Sequence, residues 1–344
     1  MRHHLPRLCN LLPCALVLAL AACNSSTTMP PTEEAPRRPQ PDPRKPYVES
    51  ADLEFIQTQA LDFAQTIRPD DRILFVGDDL TQQMQYTRAV ATGLLPLHPD
   101  LRFFNGGRNK ATAASAGAWL NDLLDITQPT VVFVCLPPVD DDDARYRAEL
   151  AQLIAQTRNW NPAAPPRVIL VSSPAIEPGG AAGDSATLAN QHRRAAAVAV
   201  RQLAADENAG FIDLFVPTLR VYQAAAQSGA SLTYDGKLPN ESGHVVIASV
   251  ILYGLGVSSE QLTPVGWSPL LPMYMAPIRG ALGLELPIPN DIAARRSREL
   301  YMSMIPFDEA FFRAWRLSTA AERPGRIEQA ETAWTNVRQT LATP

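Results

Sequence analysis

The sequence predicts an α/β fold: a three-layer α/β/α sandwich with a mainly parallel five-stranded sheet, followed by a C-terminal helical extension. Three observations lead there. Strand-length apolar runs alternate with amphipathic helix-length segments in the βαβ manner. Val131-Val132-Phe133-Val134-Cys135-Leu136 is apolar without alternation, as expected of a parallel strand covered on both faces. Ile73-Leu74-Phe75-Val76 runs into a Gly77-Asp78 turn and then into a helix expected over Thr81 to Ala91. In an α/β fold that turn faces the ligand crevice at the carboxyl end of the sheet.

In chain order, residues 1–22 read as a lipoprotein signal peptide. Arg2 and Arg7 supply the positive start, Leu11 to Ala19 the apolar centre, and Leu20-Ala21-Ala22-Cys23 has small residues where a signal peptidase needs them. Cys23 is then the lipidation site and the membrane the first partner. Asn24, rather than an aspartate, is compatible with an outer-membrane address facing the periplasm, so the expected location is the bacterial cell envelope. Residues 23–48 form a Pro-rich tether. Its Ser, Thr, Pro, Glu and Arg cannot bury enough surface to offset ordering entropy.

A globular domain is expected over 49–258. An amphipathic helix over Ala51 to Ile67 presents Leu53, Ile56, Ala60 and Phe63 at helical spacing. Strands are expected at Ile73 to Val76, Leu101 to Phe104, Val131 to Leu136, Val168 to Val171 and Phe211 to Leu214. Between them fall a polar loop, Asn105 to Lys110, and helices at Thr112 to Leu124, Ala144 to Arg158 and from Asp184 to Ala205. The last helix of the domain, Glu241 to Leu255, has Asn240 as its N-cap. Residues 259–344 change character: a Pro/Leu-rich wrap, then helices at Asp291 to Met302, Phe307 to Arg316 and Arg326 to Leu341. Phe311, Phe312 and Trp315 there read as anchors that hold the extension to its own domain.

Composition excludes some classes. With 344 residues and a formal charge of −5, the chain has no basic stripe and no aromatic-basic interleaving, so no nucleic-acid partner is expected. Of its 4 cysteines, Cys9 and Cys14 leave with the signal and Cys23 is acylated, which leaves Cys135 as a lone buried thiol and allows no intramolecular disulfide.

The motifs carry a resemblance. Gly77-Asp78-Asp79-Leu80-Thr81 after a strand, Asn105 to Thr112 after the next, Pro137-Pro138-Val139-Asp140 after the third, and Asp235-Gly236-Lys237-Leu238-Pro239-Asn240 before a Gly-His helix, with Phe211-Ile212-Asp213-Leu214 between the last two, together resemble the blocks of the SGNH (GDSL-type) ester hydrolases, over Arg72 to Gly256. The resemblance implies an SGNH-hydrolase or flavodoxin-like sheet and a site built from four blocks. It also shows where this chain departs from the family. Asp79 stands at the nucleophilic serine, Lys110 at the oxyanion-hole glycine, Val139 at the oxyanion-hole asparagine and Leu238 at the catalytic histidine; Asp235 alone matches the triad. Leucine cannot accept a proton, and loss of even one oxyanion donor costs about 10² to 10³ in rate. A catalytically inactive member of the family is therefore expected, with no cofactor and no metal.

The candidate ligand-binding residues are Asp78, Asp79, Asn105, Lys110, Asp140, Asp235 and His244. Two readings stay open. In one, Asp79 and Lys110 pair as ions and seal a dead pocket, while Asp140 to Asp143 is a solvated helix start. In the other, carboxylates gather around Lys110 to bind a cation or a polar, carbohydrate-like ligand. His244 lies nine residues past Asp235, on the first turn of a helix, and is expected to be a surface histidine. A binding or assembly role with an envelope protein or polar ligand is the favoured function; the alternative is an ester hydrolase, such as a GDSL-type esterase or carbohydrate deacetylase, with non-standard catalytic residues.

Overall fold

A computed structural model describes residues 60–178, 185–227, 229–258, 261 and 291–343. The expected signal, Cys23, the tether, the first part of the helix expected from Ala51 and the Pro/Leu-rich wrap lie outside the described residues.

Strands β1 (Arg72–Gly77), β2 (Arg102–Gly107), β3 (Val131–Cys135), β4 (Arg167–Val171) and β5 (Gly210–Ile212) form one sheet in the order β2-β1-β3-β4-β5, and every pairing is parallel. This is the flavodoxin-like order, whose switch point lies between β1 and β3. The expected fold class is the one observed. All five residues of β3 are buried, as its unbroken apolar sequence requires.

Eleven helices are described. They are α1 (Phe63–Thr66), α2 (Asp79–Gln82), α3 (Gln85–Leu94), α4 (Ala113–Thr127), α5 (Asp143–Trp160), α6 (Ser185–Asp206), α7 (Phe215–Gln227), α8 (Glu241–Gly254), α9 (Asp291–Ser303), α10 (Ile305–Arg316) and α11 (Arg323–Ala342). Helix α5 packs between α4 and α6, and α3 packs against α8, which also reaches β5. Asn240 caps α8 as expected, accepting from Gly243 N–H at 3.1 Å.

Local structure departs from the sequence reading at four places. The helix expected to run through Ala60 to Ile67 is a single turn, Phe63–Thr66, because the Asp62 side chain accepts from Ala64 N–H and caps it there, while Ala60 and Leu61 are not helical. The helix expected over Thr81 to Ala91 is two helices, α2 and α3, separated at Met84, whose φ is +63°. Apolar spacing does not register the break, because Leu80 before it and Tyr86 and Val90 after it are all buried. A non-glycine residue in the left-handed region costs roughly 1–2 kcal/mol, and tertiary hydrogen bonds to α2 offset it. β2 continues through Asn105, Gly106 and Gly107, expected as loop, because they pair with Phe75, Val76 and Gly77 of β1. Helix α7 forms where no element is expected. Its Pro217 lies in the first turn, where the missing N–H costs nothing, and Asp213 accepts from Phe215 and Val216 N–H at 2.9 and 3.2 Å.

The C-terminal helices share the core of the sheet. Helix α10 lies on β2, covering an edge strand. Phe307 and Phe311 pack on Phe104 of β2 at ring distances of 6.1 and 5.3 Å, and Trp315 meets Trp119 of α4 at 5.9 Å. Phe311 and Trp315 thus anchor the extension to the domain. Trp334 of α11 is buried between Phe307, at 4.8 Å, and the Arg102 guanidinium, at 4.9 Å. Arg102 also grips both oxygens of Glu331, and Arg88 of α3 pairs with Asp308 at 2.5 Å, both ends largely buried.

Candidate functional site

A cleft of about 640 Å³ opens at the carboxyl ends of β1, β3 and β4, beside the switch point. Asp78 and Asp79 enter it from β1, Cys135 and Pro137 from β3, Ser173 and Pro174 from β4. Helix α6 contributes Arg193, and the loop before α8 contributes Asp235, Lys237 and Leu238.

The β1 turn is held tightly enough to exclude side chains. A Cβ on Gly77 would lie 1.9 Å from Thr81 Oγ1 and 2.8 Å from the Cys135 carbonyl, and one on Gly107 would lie 2.2 Å from Gln82 N. Asn105 fastens this turn to β2: its amide donates to Thr81 O at 2.7 Å and Thr87 Oγ1 at 3.0 Å, and its oxygen accepts from Gly107 N–H at 2.9 Å. Asn105 is therefore a buried staple and does not line the cleft.

Asp79 and Lys110 do meet, by a different contact from the ion pair expected. Asp79 Oδ1 accepts from the main-chain N–H of Lys110 at 3.0 Å. Lys110 has φ +57°, and its side chain is exposed and is not among the residues lining the cleft. The carboxylate of the β1 turn thus engages a main-chain donor of the loop after β2.

Asp78 caps α2 by accepting from Leu80 N–H at 3.1 Å. Burial pushes its carboxyl up to about 6 against the pull of that N–H; Asp79 raises it further and Arg193 lowers it. Asp235 is consumed in its own turn. Its Oδ1 accepts from Leu238 N–H at 2.7 Å and Lys237 N–H at 2.9 Å, contacts that hold the carboxyl below its ordinary range.

Two expected carboxylate and histidine positions fall elsewhere. Asp140 is exposed, accepts from Asp142 N–H at 3.0 Å and pairs with Arg145, so the acidic run is a helix start, outside the cleft lining. Val139 is 66% exposed and is likewise outside it. His244 is not a surface residue. It is 1% exposed, bonds Gln83 Oε1 through Nε2 at 2.7 Å and stacks on Tyr86, and burial followed by the nearby Arg88 lowers it to about 4. It is neutral wall material behind the cleft.

Cys135 lines the cleft, and burial pushes its thiol far above the ordinary range, so it is not a nucleophile at neutral pH. Among the described lining residues Ser173 supplies the one hydroxyl, and none is a histidine.

The residue sequence reading missed is Arg193. Its Nη1 donates to Pro174 O, and burial lowers it while Asp78 raises it. The signal was helical spacing: 193 falls on the same stripe as Ala196, Ala197 and Val200, all buried. The loop it touches is fixed by other buried groups. Asn190 accepts from Ile176 N–H and donates to Ile176 O, while Glu177 accepts from Ser231 Oγ at 2.7 Å, Leu232 N at 2.9 Å and Thr233 Oγ1.

No family model matches this sequence, and no curated protein is similar to it. Among solved structures the chain is similar to Axe2, an acetylxylan esterase from Geobacillus stearothermophilus, at 20% identity over 56% of this chain and 97% of that one, with a TM-score of 0.46. It is also similar to LAE5, an alpha/beta hydrolase enzyme from the metagenome of Lake Arreo, Spain, at 21% identity over 56% and 98%, TM-score 0.46. A third likeness is to BT4096, a gut microbial diltiazem-metabolizing enzyme, at 20% identity over 58% and 49%, TM-score 0.48. What this cleft does rests on its own side chains.

Proposed function

We propose that this chain is a binding protein on an SGNH-hydrolase-type scaffold, anchored in the bacterial cell envelope through lipidated Cys23, and that its cleft holds a polar ligand without cleaving an ester. The observation that supports this is the 3.0 Å contact from Lys110 N–H to Asp79 Oδ1. Ester hydrolysis needs a nucleophile beside a base and free donors where an oxyanion forms. Here a carboxylate replaces the hydroxyl and already engages a donor, and Leu238 occupies the position of the base.

The test is hydrolysis of a short-chain aryl acetate by the wild type beside Asp79→Ala, Asp235→Ala and His244→Ala. No rate above that of the variants is expected. A wild-type rate lost in any one of them overturns the reading.

One observation favours the second reading, an ester hydrolase with altered machinery. Asp78 carries a carboxyl raised to about 6, within the range of a general acid–base group, in the same cleft as the Ser173 hydroxyl. An activity that rises with an apparent pKa near 6 and disappears in Ser173→Ala is its signature.

A further inference from the structure

We infer that the cleft recognises its ligand through a carboxylate seated on Arg193, with Lys237 as the second cation. This deepens the binding reading above and uses the same site.

Counting charges points the other way, since among the described residues three acids and two bases line the cleft. Hydrogen bonding sets the two kinds of group apart. Each acid has an oxygen engaged by the main chain: Asp78 by Leu80 N–H, Asp79 by Lys110 N–H, and Asp235 by Lys237 and Leu238 N–H. The cations are less fully engaged: the main chain holds one end of Arg193, and the Lys237 ammonium makes no hydrogen bond among the described residues. Arg193 spends Nη1 on Pro174 O, and among the described residues its Nε and Nη2 make no hydrogen bond. Neither Arg193 nor Lys237 forms an ion pair within 4.0 Å with a described acid. Asp78 and Asp235 act on them only as electrostatic neighbours. At Arg193 the unmet demand is therefore for an acceptor.

Geometry narrows the class. With Nη1 anchored, the Nε–Nη2 edge of a guanidinium presents two parallel donors, which match the two oxygens of a carboxylate. The anchor is stiff, because Pro174 belongs to a loop that Asn190 and Glu177 hold from both sides. Less ordering entropy is then lost when a ligand docks. Phosphate would also satisfy a guanidinium fork, but a dianion is repelled more strongly by three carboxylates than a monoanion is. Leu80, Pro137, Leu238 and Pro239 add apolar walls for an organic remainder.

The experiment is calorimetric titration and thermal shift of the full chain at pH 7.5. The probes are three carboxylates, acetate, lactate and glucuronate, and their uncharged counterparts, acetamide, lactamide and glucose; inorganic phosphate and methylammonium complete the set. The carboxylates are expected to bind at least about tenfold more tightly than their counterparts, and more weakly as salt is added. Arg193→Gln is expected to cost the carboxylates at least about tenfold, Arg193→Lys less, and Lys237→Gln a smaller factor. Lys237→Gln disturbs no hydrogen bond of the fold and keeps the test decisive if Arg193→Gln unfolds through loss of the Pro174 contact. Equal binding of neutral and charged members, indifference to both Arg193→Lys and Lys237→Gln, or tighter binding of phosphate or methylammonium overturns the inference. Glucose bound as well as glucuronate leaves the polar-ligand reading standing without the carboxylate, whereas no binding by any probe removes both.

Discussion

The carboxylate of Asp79 is bonded to the main-chain N–H of Lys110, 31 residues away, and this contact closes the end of β1 onto the end of β2. A serine at that position would be too short to make the same bridge. Asp79 therefore has a structural role in this turn.

Converting Asp79 to serine is accordingly not expected to create an esterase. Asp79→Ser frees the Lys110 N–H but brings no histidine into the described cleft lining and leaves Asp235 engaged by its own turn. Aryl acetate hydrolysis is expected to remain at background. The variant also loses roughly 1 kcal/mol of stability with its hydrogen bond, which chemical denaturation measures.

Removing the ring of Trp334 tests whether the extension belongs to the core. Trp334 is 1% exposed and packs on Phe307 and Arg102. Trp334→Ala is expected to cost about 3–5 kcal/mol, as aromatic truncations in cores do. Wild-type urea denaturation is expected to show one transition by all probes, since β2 and α10 share side-chain contacts.

Glu177→Ala is expected to separate two walls of the cleft. The buried Glu177 carboxylate accepts from Ser231, Leu232 and Thr233, joining the loop after β4 to the loop before α8. Its loss leaves buried donors unpaired at a cost of about 3 kcal/mol. Amide exchange at Leu232 is expected to accelerate more than exchange at Val132 in β3.

Stability is expected to rise as pH falls from 7.5 to about 5. Asp78, Asp213 and Asp308 are each raised to about 6, mainly by burial. A carboxyl raised on folding makes the native state bind more protons between the unfolded value and about 6, so lowering pH through that window stabilises. His244, lowered to about 4, works in the opposite sense between its ordinary 6.5 and 4, because only the unfolded chain protonates there. Three groups against one favour the acid side. A higher urea midpoint at pH 5 than at pH 7.5, diminished in Asp308→Asn, is the expected result, and a lower midpoint at pH 5 contradicts it.

Carboxylate binding is expected to strengthen over the same change, provided the ligand stays ionised. Protonation of Asp78 removes a negative charge beside Arg193. Its other charged neighbour is Asp79; Cys135, Tyr86 and Tyr146 also face it, but burial raises all three, so they remain neutral throughout.

Much of this molecule was legible in the sequence for local reasons. Period and run length locate each of the five strands, because a strand buried on both faces must be apolar throughout and a turn needs Gly77. Asn240 announces a helix start for an equally local reason: a short polar side chain reaches the N–H groups of the next turn. The break at Met84 and the extension of β2 were not legible, since both are set by pairing with β1 and by Asn105, which sits 24 residues from the Thr81 carbonyl it holds.

The sequence by itself determined the fold class and the edge of the sheet at which the cleft lies. Composition, period and motif spacing are one-dimensional quantities that carry such information. Which charged groups are free was decided only by the tertiary structure. Asp79, Asp140, Asp235 and His244 are alike in being polar residues near motif positions, yet the main chain or a wall of the cleft engages each differently. Arg193, one of many arginines in the sequence, becomes distinctive because packing places it beside Pro174 with its Nε and Nη2 donors unspent. Hydrogen-bond satisfaction depends on the positions of partners distant in the chain, and no spacing along the chain encodes it.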